Sequence, residues 1–139
     1  VAEAPAYVLQ KAVIAALRAD PEIQALVGAK VFDEPPPPAF AEYPYIHLGR
    51  IDAAAERIGC YTDDDIFFTV ECQSRPVAGR DEVTQLAHAV RLGLDQVELT
   101  LPGLTLDWCD YLTQSVSRSR DGGTWTAVVA FSASVAAAV

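Results

Sequence analysis

Two long alternating runs, joined by Asp121-Gly122-Gly123, close the sequence and constrain its fold more than any other feature. In the second run, residues 124–135, the side chains of Trp125, Ala127, Val129, Phe131, Ala133 and Val135 share one face. A period of two is the pattern of a strand with one face buried. The Asp-Gly-Gly junction suits a hairpin, because glycine takes positive φ at no steric cost. The first run, residues 109–120, is the predicted partner strand. A hairpin cannot bury its apolar face alone, so the rest of the chain has to cover it.

The preceding residues supply the cover. Leu9, Ala12, Val13, Ala16 and Leu17 fall on one face at helical spacing and predict a helix over residues 6–19. Asp20 before Pro21 reads as an N-cap with proline at the first helical position. The short helix that follows carries Ile23, Leu26 and Val27 and stops at Gly28. Val31 and Phe32 predict a short strand, and residues 35–38, all proline, predict an extended connector. Strands are expected at residues 45–51 and 66–73. The stretch between them, residues 53–65, has weak periodicity, ends in Asp63, Asp64 and Asp65, and reads as a long loop or hairpin tip. Val83, Leu86, Ala87, Val90 and Leu94 form the apolar stripe of a helix over residues 80–96. A further hairpin is predicted at 97–101 and 104–108 around Pro102-Gly103.

The order is α, α, β, β, β, α and then a run of β. Hairpin connections predict a mainly antiparallel sheet with helices packed on one face, an α+β fold. The 139 residues are read as a single domain, 1–139, with no internal repeat and no dividing linker.

Charge and cysteine usage exclude several classes of function. The net charge of −9 argues against a broad phosphate-binding surface, which needs clustered cations. Cys60, Cys72 and Cys109 are odd in number and widely spaced, with no CxxC pair, so reduced thiols are expected rather than a disulfide framework or a zinc site. No signal peptide is read, and no apolar run approaches the ~20 residues of a membrane span. His47 and His88 lie outside any metal-binding spacing, and no P-loop, GxSxG or GxGxxG is present. Asp63, Asp64 and Asp65 lack the alternating ligands and central glycine of a calcium loop. Asp107 and Asp110, three apart on a strand, are expected on opposite faces. The reading is therefore non-enzymatic, with no cofactor.

The remaining candidates are contact residues. Tyr45 and Phe67 are expected on the sheet face opposite the core, where an exposed aromatic points to a partner. Burial of both under the 53–65 loop or the proline run is the alternative. Arg118 and Arg120 are expected to share a strand face beside the glycine turn, as a further interface or as a solvated strand end.

Several segments, in order, resemble one known family. They are residues 9–17 (LQKAVIAAL), Leu26-Val27-Gly28 followed by Val31-Phe32-Asp33, Tyr43-Pro44-Tyr45-Ile46-His47-Leu48-Gly49, Gly79-Arg80-Asp81-Glu82-Val83, Asp121-Gly122-Gly123-Thr124-Trp125 and Val128-Val129-Ala130-Phe131. Together they resemble the tail-completion proteins of long-tailed phages, the tail terminator or tail-to-head joining proteins, including those of gene transfer agents. One departure is Glu71-Cys72-Gln73-Ser74, where the family often carries a tryptophan. The resemblance implies a structural virion protein at the head-proximal end of the tail, assembled in the bacterial cytoplasm. It implies a ring, usually a homo-hexamer, that ends tube polymerisation and meets the tail tube protein and the head connector or stopper. DNA would pass through without specific binding, and no membrane is involved. A non-enzymatic binding module or assembly chaperone, monomeric or dimeric, is the alternative. Six copies at −9 each carry −54, and an acidic bore would repel phosphates rather than hold them. Glu56, Asp63, Asp64 and Asp65 are the candidate channel-facing acids, with a purely solubilising role as the alternative.

Overall fold

The computed structural model describes residues 4–37, 39, 41–58, 61–75, 79–120 and 122–137. Helix α1 (Pro5–Ala19) and helix α2 (Pro21–Val27) are followed by strands β1 (Val31–Phe32), β2 (Tyr45–Ile58) and β3 (Tyr61–Ser74), helix α3 (Gly79–Leu94), and strands β4 (Leu104–Arg118) and β5 (Trp125–Ala137). The strands form one sheet in the order β1-β2-β3-β5-β4. Only β1 and β2 are parallel; every other neighbouring pair is antiparallel. The α+β class and the one-sided helical cover follow the sequence expectation.

The break between α1 and α2 is chemical. Pro21 disfavours helical geometry in the residue before it, and Asp20 is extended at φ −73 and ψ 120. Its carboxylate accepts from the backbone N–H of Glu22 at 2.9 Å and Ile23 at 3.3 Å, satisfying donors the helix start leaves open. Gly93 of α3 faces this cap, where a β-carbon would stand 2.7 Å from Asp20 Oδ2. Glycine there lets α3 come close to the helix junction. Arg18 fastens α1 to the sheet by donating from Nε and Nη2 to Val31 O at 3.1 and 2.7 Å.

The core lies between the helices and one sheet face. Val83, Leu86, Val90 and Leu94 of α3 are fully buried, as are Ile66, Val70, Val129 and Phe131 beneath them. Phe68 and Phe131, opposite each other in β3 and β5, stack at 5.3 Å between centroids.

Two expectations are corrected. The loop reading of residues 53–65 gives way to its hairpin alternative: residues 53–58 and 61–65 are strand, and β2 and β3 pair as one long hairpin, with Ala55 opposite Asp64 and Ile58 opposite Tyr61. The stretch Ala53-Ala54-Ala55 lacks large alternating side chains, so its strand pairing left no periodic mark. Residues 97–100 are not a strand; the expected hairpin there shrinks to a single bridge between Leu101 and Leu104. The real strand β4 begins at Leu104 and absorbs extra residues at two bulges, between Leu106 and Trp108 and between Tyr111 and Thr113.

Truncating Leu86 to alanine removes a fully buried side chain and should cost about 2–5 kcal/mol, read from chemical denaturation midpoints. Asp20→Ala should cost about 1 kcal/mol through the lost cap. An unchanged midpoint in Leu86→Ala would remove α3 from the core.

Candidate functional site

The described helices cover one face of the sheet and none lies on the other. Strand alternation assigns that helix-free face. It carries Asp63, Asp65, Phe67, Thr69, Glu71 and Gln73 from β3, opposite the small side chains of Ala130, Ser132, Ser134 and Ala136 on β5. Asp52 joins it from β2 opposite Phe67, and Trp108 and Asp110 join it from β4 opposite Ser134 and Ser132. Its charges are nearly all of one sign. Arg50, at the bulge between Leu48 and Ile51, is ion-paired with Asp52. Strands β3 and β5 contain no lysine or arginine, and β4 contains only Arg118, level with Trp125 on the opposite face.

The candidate acids divide between faces. Asp63, Asp64 and Asp65 sit within β3, paired with Glu56, Ala55 and Ala54 on one side and Ala136, Val135 and Ser134 on the other. They do not hang from a projecting loop. Asp63 and Asp65 belong to the helix-free face and Asp64 to the helix-bearing one. The side chain of Glu56 lies outside the described residues. Asp65 Oδ1 is buried without a hydrogen-bond partner, a cost the fold accepts in this patch.

Tyr45 occupies the expected face but is buried at 6% exposure. It packs among Tyr43, His47 and Phe32 at centroid distances of 5.2, 6.0 and 6.1 Å. Burial, reinforced by Tyr43, pushes its phenol up to about 12. It is a support for the face rather than an exposed contact. Phe67 is half-buried there. Arg118 and Arg120 do not share a strand face: Arg118 ends β4, while Arg120 is exposed in the turn beyond it.

Sequence reasoning missed two arrangements. The first is a set of cations laid on aromatic rings along the flank between α3 and β4. Arg80 stands 4.6 Å and Arg118 5.8 Å from the ring of Trp125, and Arg91 stands 4.2 Å from Tyr111. Arg80 and Arg91 lie off the apolar stripe of α3, which gave them no signal. The second is a polar chain across β2, β3 and β5. His47 Nδ1 lies 2.9 Å from Leu48 O and can only donate to it. In the neutral ring Nε2 then accepts from Gln73 Nε2 at 3.2 Å, and Gln73 Oε1 accepts from Thr126 Oγ1 at 2.6 Å. At the adjacent bulge a β-carbon on Gly49 would collide with Thr69 Oγ1 and the Glu71 carboxylate.

Cys72 and Cys109 are buried free thiols, and Cys60 lies outside the described residues. Burial raises both thiols, Cys109 to about 12. Among the described residues no three His, Cys, Asp or Glu side chains are grouped to hold a metal. No described helix is long and apolar enough to cross a membrane. A cleft of about 590 Å³ lies between residues 96–101 and β4 and includes Glu98, Asp107, Trp108 and Asp110. Cys109 also lines it, but that thiol is buried and raised. Among the described residues the arrangement is a one-sided α+β sheet with an acidic helix-free face.

Comparison with known proteins agrees. The sequence profile of the family described as Tail completion protein gp17 matches residues 11–136, from within α1 to the end of β5. The chain belongs to this tail-completion family. A solved chain from the structure described as "Virion of native gene transfer agent (GTA) particle" is 29% identical, with a TM-score of 0.86 over 97% of this chain and 99% of that one. No curated protein matches it significantly.

Native protein should leave Cys72 and Cys109 unmodified by a thiol reagent until denaturant is added, and its intact mass should show no loss of hydrogens. Rapid labelling of either thiol in the folded state would contradict their burial. Because folding raises the Cys109 thiol and the Tyr45 phenol, their contribution is complete below about pH 9 and is lost as pH climbs towards 12. Denaturation midpoints should therefore fall across that alkaline window.

Proposed function

We propose that this chain is a non-enzymatic structural component of a phage-like virion that closes the head-proximal end of the tail. The family match over residues 11–136 carries this reading, and the likeness to a chain of a gene transfer agent virion supports its place in the particle. In the proposed arrangement copies of the chain, six in the assembly the resemblance implies, form a ring on the tail tube. The ring ends tube growth and presents a surface to the head connector or stopper.

The helix-free face gives the ring a physical task. If it faces the bore, Asp52, Asp63, Asp65, Glu71 and Asp110 from each copy line a passage poor in cations. Phosphates are repelled by such a wall, so DNA is passed rather than held. The small side chains of β5 on the same face keep the wall smooth. Asp64 belongs to the other face and has no place in the bore. Phe67 and the arginines 118 and 120 remain candidate contacts with neighbouring subunits or partners.

Deleting the gene segment for this chain should give tails of irregular and excessive length that do not join heads, seen by electron microscopy. Tails of normal length on filled heads would exclude the terminator role. Replacing Asp63 and Asp65 together by lysine should preserve tail length while lowering DNA delivery on the order of tenfold or more, since fields of this kind change rates by such factors. Undiminished delivery by those particles would remove the acids from the bore.

A further inference from the structure

The sheet leaves backbone groups open on two opposite edges, and the two openings complement each other. β1 pairs with β2 only at Ile46 and His47. Further along, no described strand lies outside β2. At the other edge the first half of β4 is closed: Gln96 N–H donates to Cys109 O at 2.7 Å, and Tyr111 N–H donates to Asp95 Oδ1 at 2.9 Å. Beyond Leu112 no described strand covers β4. Neither strand contains a proline or a lysine, the residues that most often blunt a sheet edge.

Alternation identifies the groups that point outward. Ser119 N–H bonds Thr124 O at 2.9 Å, so Ser117 and Ser115 face β5 while Gln114, Val116 and Arg118 aim their backbone groups away. Ile46 N–H points outward to Lys30 O at 3.0 Å. The bulge after Leu48 shifts the phase by one, so that Ile51, Ala53 and Ala55 point outward. Both sets have their side chains on the helix-bearing face, as directly opposed residues of one sheet must. β2 and β4 also run in opposite directions, because three antiparallel pairings separate them.

Building on the ring reading above, we infer that the open half of β4 in one copy pairs antiparallel with the open half of β2 in the next. The sheet then continues from subunit to subunit. The offset this requires is reasonable. Ala53 stands level with Ile66, Ala133 and Cys109. Setting Ala53 of the next copy opposite Gln114 or Val116, with Leu112 excluded as the bulge residue, shifts the copies by about four to six residues. That is roughly 13–20 Å along the strands, across four strands that span roughly 19 Å. The strands consequently tilt by about 35–45°, the tilt of closed barrels. Charge agrees with the pairing on the helix-bearing face: the β4 flank presents Arg80, Arg91 and Arg118 on their rings, and the β2–β3 arm brings Asp64. The contact is head-to-tail, which closes rings rather than dimers.

The test sets one cysteine on each edge in assembled particles, in a Cys60→Ser background. One variant combines Ala53→Cys with Gln114→Cys and another combines Ala53→Cys with Val116→Cys. Mild oxidation should convert one of these pairs into a ladder of linked copies on a non-reducing gel, while each single replacement stays unlinked. Single variants that link equally well, or two unlinked pairs in particles holding several copies, would overturn the edge pairing and leave the ring reading standing. One copy per particle, by quantitative mass spectrometry, would overturn both. Should a variant fail to enter particles, hydrogen exchange on the unaltered chain decides instead. Amides of Ile51, Ala53, Ala55, Gln114 and Val116 should exchange at least about tenfold more slowly in particles than in the free chain. Equal rates would overturn the pairing.

Discussion

The pairing of β3 with β5 underlies the rest of the structure. It holds from Asp63 opposite Ala136 to Ser74 opposite Trp125 without a bulge. Phe68 and Phe131 stack at its centre beneath α3. A one-residue slip would turn every apolar side chain of either strand outward, so burial on the helix face pins the register. The same register decides what the other face displays. Once Ile66, Phe68, Val70 and Cys72 are committed to the core, Asp63, Asp65, Phe67 and Glu71 have nowhere else to go.

That central ladder is also regular where its neighbours are not. β2 and β4 carry the bulges, and both flank the β3–β5 pair. Bulges bend a strand and increase its twist, so the outer strands can curve while the middle of the sheet keeps its packing. Helical cover on one face alone leaves the second face free of helices. The acidic helix-free face is thus a consequence of one topological choice: among the described residues, three helices lie on a single side of five strands.

Much of this was legible in the sequence, and the losses have physical causes. Strong periodicity announced α3 and β5, where large apolar residues recur at the helical or strand spacing. Asp20-Pro21 announced the helix junction because cap chemistry is local. The extension of β2 was invisible because Ala53, Ala54 and Ala55 show no contrast between faces; its partners, Asp64 and Asp65, are polar where a strand was to be recognised by apolar residues. Asp63, Asp64 and Asp65 were named as candidates, yet their division between two faces required the register. Tyr45 was assigned the correct face, but its burial comes from Phe32 and Tyr43, contacts that no spacing rule encodes. The arginine–aromatic flank joins α3 to β4 and β5 over distances in sequence that periodicity cannot bridge.

The central claim is that the bare acidic face of the sheet looks onto the path of the DNA. A cryo-electron microscopy map of the head-proximal end of the tail, resolved well enough to separate helices from strands, tests it most directly. The account predicts a ring in which the sheets line the bore, Asp63 and Asp65 point towards the axis, and α1 and α3 lie on the outside. A ring with α3 lining the bore and the helix-free face turned outward, or a particle in which this chain occupies another position, would contradict it.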